Sequence, residues 1–188
     1  MKKNSLIILM LILSFSAKAE EGFDFMYSLG VTFGGDKLAE TTTGSTLKSG
    51  GLIYMGVGTV YNFSPDFQIQ GTIAYHFDTL SADNGSADFD RISLEFIPFY
   101  VIDNDVRVGV GIVNVKSPEY SDPIGDIDFG DSTGLVAEID WRLTSSTWWG
   151  IRYVDVDYDV ESFDGIDVSS LGLTVDGNYF GLMIQGGF

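Results

Sequence analysis

Three sets of residues in this chain are of types that carry out chemistry. His76 is the only histidine; Tyr75 and Phe77 flank it and Asp78 lies two positions on, and a His–Asp pair is a common device for moving a proton. Glu95, Glu138, Asp140, Arg142 and Arg152 are charges in otherwise apolar or small-residue surroundings, where they could line a passage or pair with one another. Asp155, Asp157 and Asp159 have the spacing of the first half of an EF-hand loop, and Asp122, Asp126, Asp128 and Asp131 lie close together in sequence. Oxygen-rich sets of that kind suit Ca²⁺ or Mg²⁺.

Each set also has a plainer reading. One histidine is not a triad, no His-x-Ser arrangement accompanies it, and His76 is expected to be a hydrogen-bonded interior residue. The EF-hand match fails in its second half, where Val160 stands in place of the required Gly and Ile166 in place of the terminal Glu. The aspartates otherwise form a solvated, self-repelling rim. No Gly-rich loop follows a strand and opens a helix, which leaves nucleotide binding without support. With no Cys, the chain has no disulfide, no thiolate metal site and no Cys nucleophile. A formal net charge of −17 excludes nucleic acid as a partner, because little here can neutralise a phosphate backbone.

The elements that position these residues begin after a leader. Lys2 and Lys3, an apolar run from Leu6 to Phe15, and Ala17-Lys18-Ala19 have the three parts of a secretory signal peptide. The apolar run is about half the ~20 residues of a spanning helix. The expected organisation is residues 1–19 as signal peptide and 20–188 as one domain. Cleavage removes Lys2, Lys3 and Lys18, leaving 7 basic against 27 acidic groups and a net charge of −20. No later stretch approaches the ~18 consecutive apolar residues of a membrane helix.

From residue 23 onward the chain alternates with period two. Phe23, Phe25, Tyr27, Leu29, Val31 and Phe33 are apolar, while Asp24, Met26, Ser28, Gly30 and Thr32 between them are small or mostly polar. A strand separates such sets onto two faces, whereas a helix mixes them. The split recurs seven more times, across 53–61, 67–77, 92–100, 106–112, 135–143, 149–153 and 180–188. Short turns at Ser64-Pro65-Asp66, Asp103-Asn104-Asp105 and Thr144-Ser145-Ser146 alternate with long polar links near 35–49, 79–89, 117–128 and 159–177. Eight strands joined in this way predict an all-β, eight-stranded antiparallel up-and-down transmembrane β-barrel, closed so that no edge is left unpaired in lipid. A soluble sandwich would carry charges on its second face. Here that face holds Gly56, Gly58, Thr72, Ala74, Ser93, Gly109, Gly111 and Gly150, which fit the crowded inside of a small barrel. Aromatics collect at both ends of the apolar face: Tyr61, Phe67, Tyr100, Trp141, Trp149 and Phe188 at one, Phe33, Tyr75, Phe77 and Tyr153 at the other. Pro98 interrupts the fourth strand, and a bulge is expected there.

The ending Tyr179-Phe180-Gly181-Leu182-Met183-Ile184-Gln185-Gly186-Gly187-Phe188 resembles the C-terminal assembly signal of Gram-negative outer-membrane barrels, with Phe180, Leu182, Ile184 and Phe188 as its apolar positions and Gly186 departing from the pattern. The whole of 20–188 resembles the small eight-stranded barrels of the OmpA-like and OmpX-like membrane domains. The resemblance implies a multi-pass protein of the bacterial outer membrane, in contact with lipid and lipopolysaccharide, inserted by the barrel-assembly machinery and monomeric. It implies a structural or surface-interaction role, no cofactor and no enzymatic activity; the alternative is a narrow passive pore. The chain ends at Phe188 with no peptidoglycan-binding domain, so the anchoring role of full-length OmpA-type proteins is not expected.

Turn geometry sets the neighbours of the interior charges. A turn centred on Ser145 places Glu138 opposite Arg152, Asp140 opposite Gly150 and Arg142 opposite Trp148. The 103–105 turn pairs Phe99 with Gly109 and Val101 with Arg107, and a turn centred on Pro65 places Tyr54 opposite His76. The expected interior is a polar plug of Glu95, Glu138, Asp140, Arg142 and Arg152, because unpaired buried charge is costly. Of the 27 acids, 18 fall in or beside the long links. Asp122, Asp126, Asp128, Asp155, Asp157 and Asp159 are the candidates there for binding a divalent cation.

Overall fold

The computed structural model describes residues 22–42, 44–82 and 85–187. The expected leader and the terminal Phe188 lie outside the described residues. The strands are β1 (Phe23–Gly34), β2 (Lys37–Glu40), β3 (Thr46–Lys48), β4 (Leu52–Ser64), β5 (Phe67–Ala82), β6 (Gly85–Asp103) and β7 (Val106–Ser121). They continue with β8 (Asp126–Phe129), β9 (Ser132–Arg142), β10 (Thr147–Asp155), β11 (Asp157–Phe163), β12 (Ile166–Asp167), β13 (Thr174–Asp176) and β14 (Tyr179–Gly187). Eight of them close a ring in the order β1, β4, β5, β6, β7, β9, β10, β14, with β14 returning to β1, every neighbour antiparallel. This is the expected up-and-down barrel.

The period-two pattern explains the two faces. Leu29, Val31, Phe33, Ile73, Phe96, Ile112, Leu135 and Leu182 project outward and are exposed, while Ser28, Thr32, Thr72, Ser93 and Arg152 project inward and are buried. Exposed apolar area on that scale belongs against hydrocarbon rather than water. At the end with the short turns, Phe23 and Tyr61 rings lie 4.9 Å apart and Trp141 and Trp149 stack at 4.7 Å. At the other end, Tyr75 and Phe77 are 5.5 Å apart and Tyr153 and Phe180 4.8 Å. These are the two aromatic girdles.

Two expectations are corrected. Pro98 sits without a bulge: Gln70↔Ile97, Ile69↔Pro98 and Gln68↔Phe99 run on unbroken toward β5. Toward β7, Phe96↔Ile112 and Phe99↔Gly109 share one register across Pro98. The register shifts lie instead at Asp90/Ile92 and Val101/Asp103. Beside Pro98 the two backbones approach closely at Gly111, where a Cβ would overlap the Phe96 carbonyl. The long links are also more ordered than loops. β6 has 19 residues, about twice the 9–11 a strand needs to span a bilayer, so its upper half continues past the girdle. There β7 pairs onto it, β8 onto β7, β11 onto β8 and β12 onto β11, extending the sheet beyond the barrel.

Candidate functional site: the barrel interior

Three guanidiniums and three carboxylates are buried among the described interior residues: Arg91, Arg107 and Arg152 against Glu95, Glu138 and Asp140. They sit at three heights.

The middle layer is centred on Arg152 of β10. Its Nε donates to Glu138 Oε2 at 2.7 Å on the adjacent β9, the pair expected from the turn. Its Nη1 reaches across the lumen to both carboxylate oxygens of Glu95 at 3.0 Å. Tyr54 Oη donates to Glu95 at 2.9 Å, its ring lies 4.9 Å from the guanidinium, and Gln185 donates to Glu138. Arg152, Glu95 and Glu138 side chains are essentially without solvent exposure. A charged pair that deep is costly unless its other polar atoms are also bonded; Tyr54 and Gln185 do this for the two carboxylates, while Arg152 Nη2 is buried without a partner.

The layer toward the short turns is centred on Arg107 of β7. It donates from Nε to Asp140 Oδ2 at 2.8 Å, and from Nη1 and Nη2 to Gln68 and Gln185 at 3.1 Å each. Gln185 therefore joins the two layers. The Arg107 guanidinium is clamped between the Phe99 ring at 4.2 Å and the Trp148 ring at 4.8 Å. Phe99 covers Gly109, as the turn geometry implies, and Gly150 gives Asp140 its space: a Cβ on Gly150 would overlap Asp140 Oδ1. Arg142 does not join the network. It lies at the rim, 4.3 Å from the Trp148 ring centroid, donating to the Asn104 and Ser145 carbonyls. A cavity of about 220 Å³ opens at this end, bounded by Arg107, Gln70 and Gln185 on its inner side.

The upper layer closes the other mouth. Arg91 donates to the Ser49 carbonyl and contacts His76 Nδ1 at 2.5 Å, and His76 Nε2 bonds Thr32 Oγ1 at 2.6 Å. The guanidinium is ringed by Phe89, Tyr158 and Tyr179 at 5.4–5.6 Å. Above it, Leu47 of the β2–β3 hairpin is buried with Phe89, Phe129, Tyr158 and Tyr179, so an inserted loop caps the mouth with apolar side chains. Both ring nitrogens of His76 are thus engaged by Thr32 and Arg91. Asp78 instead accepts backbone N–H bonds from Lys48 and Thr79. The structure does not bring His76 and Asp78 together as a proton-transfer pair.

The rim aspartates are dispersed. Among the described residues no three His, Cys, Asp or Glu side chains are gathered to hold a metal ion. Asp122 accepts the N–H groups of Ile124 and Gly125 and the Tyr120 hydroxyl, all within its own turn, and these hold its carboxyl below the usual range. Asp131 is likewise held low by Lys116 and the Ser117 N–H. Asp155, Asp157 and Asp159 alternate with buried Val156 and Tyr158, all three facing out, and Asp128 accepts from Ser162. Asp126 lies opposite Ser121. Sequence reasoning missed Arg107, Arg91, Tyr54 and Gln185 as members of the site, although all four sit at inward positions of their strands.

A closed antiparallel barrel of eight strands, apolar and girdled outside, polar and filled inside, has the architecture of the small outer-membrane β-barrels. The solved structures it resembles include Ail, the attachment invasion locus protein of Yersinia pestis, and the Neisserial surface protein A. The Ail match has a TM-score of 0.51 and 12% identity over 90% of this chain and 100% of that one. The Neisserial surface protein A match has a TM-score of 0.53 and 10% identity over 91% and 100%. Ail in complex with the heparin analogue sucrose octasulfate matches with a TM-score of 0.51 and 14% identity, over 90% of this chain and 100% of that one. No protein-family model matches the chain, and no curated protein matches it in sequence.

Proposed function

We propose that this protein is an integral, monomeric barrel of the bacterial outer membrane whose wall is a scaffold and whose task is performed by the sheet it holds outside the cell. The observation that carries this reading is the filled cross-section: the Arg152–Glu95–Glu138 layer, the Arg107–Asp140 layer and the Leu47 cap occupy the lumen one above another. A passage at any of these heights requires breaking buried ion pairs or withdrawing the β2–β3 hairpin. The passive-pore alternative draws its support from the short-turn cavity, whose lining includes Arg107 and Gln185 of the plug itself. His76, engaged on both sides and without a nucleophile, supports a non-catalytic interior.

On this reading residues 1–19 direct export and are removed, and Phe180, Leu182, Ile184 and Phe188 form the signal read by the barrel-assembly machinery. The apolar belt meets lipid and the upper girdle meets lipopolysaccharide. The short turns face the periplasm. A heparin-like polyanion, the ligand type seen with Ail, does not suit this chain: residues 117–131 and 155–177 contain twelve acids and no Lys or Arg outside the set buried in the barrel.

The native chain lacks Cys, which makes single-cysteine labelling a direct test. Leu171→Cys should react with a membrane-impermeant maleimide on intact cells, and Ser145→Cys only after the outer membrane is permeabilised. The reverse pattern, or labelling of neither in a membrane fraction, would overturn the orientation.

A further inference from the structure

The sheet that continues past the barrel carries an apolar row that the fold leaves uncovered. Tyr120, Ile127, Phe163 and Ile166 lie side by side across β7, β8, β11 and β12. The row starts inside the core: Tyr120 is buried, and Ile127 packs against the cluster that caps the barrel. It ends in the open, with Phe163 43% and Ile166 67% exposed. Ile124, 85% exposed, stands at the tip of the neighbouring hairpin. The two tips are stitched together, because the Asp164 N–H donates to the Asp126 carbonyl and the Asp126 N–H donates to Asp164 Oδ1 at 3.0 Å. Phe163 and Ile166 are thus held on paired strands, and Ile124 stands in the turn that the Asp126–Asp164 bonds tie to them.

The charge around these three residues is of one sign. Asp122, Asp164 and Asp167 flank Ile124, Phe163 and Ile166 in sequence, and every ionisable acid or base in 117–131 and 155–177 is acidic apart from tyrosine. Asp122 is bonded within its turn and Asp167 to the N–H and hydroxyl of Ser169, and among the described residues neither is ion-paired. A second copy of the chain would set this acidic surface against itself. A lipopolysaccharide phosphate or another polyanion would meet the same repulsion. A cationic chain with an apolar face satisfies both features at once.

We propose that the tips of the β7–β8 and β11–β12 hairpins form a docking surface for a cationic amphipathic polypeptide, its apolar side chains on Ile124, Phe163 and Ile166 and its Lys or Arg side chains on Asp122, Asp164 and Asp167. The proposal rests on the orientation given above, in which these tips face the exterior. Cysteine labelling tests that orientation separately, so a failure of docking and a failure of topology are distinguishable.

The test uses the full mature protein in nanodiscs of zwitterionic lipid, with empty nanodiscs as reference. The probe is a fluorescent helical peptide of Lys and Leu with its leucines on one face, and binding is read by anisotropy. A peptide with Ser for each Leu and one with Glu for each Lys serve as comparisons. The Lys–Leu peptide should bind at least about tenfold more tightly than either. Ile124→Ser, Phe163→Ser and Ile166→Ser together should weaken it at least about tenfold. Asp122→Asn, Asp164→Asn and Asp167→Asn together should weaken it and flatten its dependence on NaCl, since exposed charges are screened over about 10 Å at 0.1 M. These amides keep the local turns. Folding of each variant is checked by heat-modifiable gel mobility, and the three Ser changes are also made singly, so that one folded variant remains to be measured. Equal binding of the Lys–Ser peptide would reduce the surface to diffuse cation attraction and overturn the proposal. Equal binding of the Glu–Leu peptide, or unchanged binding by the folded variants, would overturn it as well.

Discussion

Replacing Arg152 with Met removes the one group that both Glu95 and Glu138 face. In the native interior its Nε holds Glu138 at 2.7 Å and its Nη1 holds Glu95 at 3.0 Å, with no solvent at any of the three side chains. Without the guanidinium, Glu95 keeps only Tyr54 as donor and Glu138 only Gln185, both neutral. Breaking a buried pair by deleting one partner costs about 3–5 kcal/mol, or roughly two to nearly four powers of ten in the folding constant. Most of that cost is the stranded negative charge, so removing the charge as well should return part of the stability. Arg152→Met combined with Glu95→Gln and Glu138→Gln is expected to be more stable than Arg152→Met alone by at least about 1 kcal/mol, a coupling typical of residues in one network. The assay is equilibrium urea unfolding in phospholipid vesicles, followed through the fluorescence of Trp141, Trp148 and Trp149. Effects that add within about 0.5 kcal/mol would refute the pairing, because that is how independent sites behave.

Three further outcomes can be measured, two from the geometry and one from the C-terminal sequence. Gly150→Ala places a methyl group against Asp140 Oδ1 and should destabilise the barrel by about 1–3 kcal/mol, more than Gly71→Ala, where nothing lies within 4 Å of the new methyl; equal losses in urea midpoint would argue against the close approach. Deleting Phe188 should lower the amount of heat-modifiable protein in the outer membrane, and unchanged levels would count against the assembly signal. The Asp122 carboxyl is held low by the Tyr120 hydroxyl and the Ile124 N–H, so its contribution to the β7–β8 turn is fully present above the ordinary carboxylate value of about 3.9 and is lost as pH falls through its lowered one. Hydrogen exchange at the Ile124 and Gly125 amides should therefore stay slow to below pH 4, and a midpoint above that value would contradict the assignment.

What the sequence revealed and what it concealed have a common physical cause. Within a hairpin, side-chain parity and the centre of a short turn fix the register, which is why Glu138↔Arg152, Asp140↔Gly150, Phe99↔Gly109 and Tyr54↔His76 were all legible. Arg107 and Asp140 face each other between β7 and β9, strands joined through the long segment containing β8, where no turn fixes a register. Glu95 meets Arg152 across the lumen, a contact that follows from closure and not from any local pattern. The outer strands were hidden by their acidity: Asp155, Asp157 and Asp159 suggest a loop by composition, yet Val156 and Tyr158 between them are buried, the same alternation that marks the barrel strands. Leu47 gave no periodic signal: only Leu38 and Ala39 accompany it as apolar residues in a short, otherwise polar hairpin that folds back over the mouth.

The proposed scaffold role depends most directly on the lumen being filled. Purified native protein reconstituted into planar bilayers at 0.1–1 M KCl, concentrations chosen to span roughly 10 to 3 Å of screening, reports on this without further interpretation. Protein whose insertion is verified by heat-modifiable mobility should produce no discrete current steps, while a variant carrying Arg152→Ala, Glu95→Ala, Glu138→Ala, Arg107→Ala and Asp140→Ala and lacking residues 37–48 should produce them. Regular steps from the native barrel, unchanged in that variant, would contradict the filled interior and return the protein to the class of passive pores.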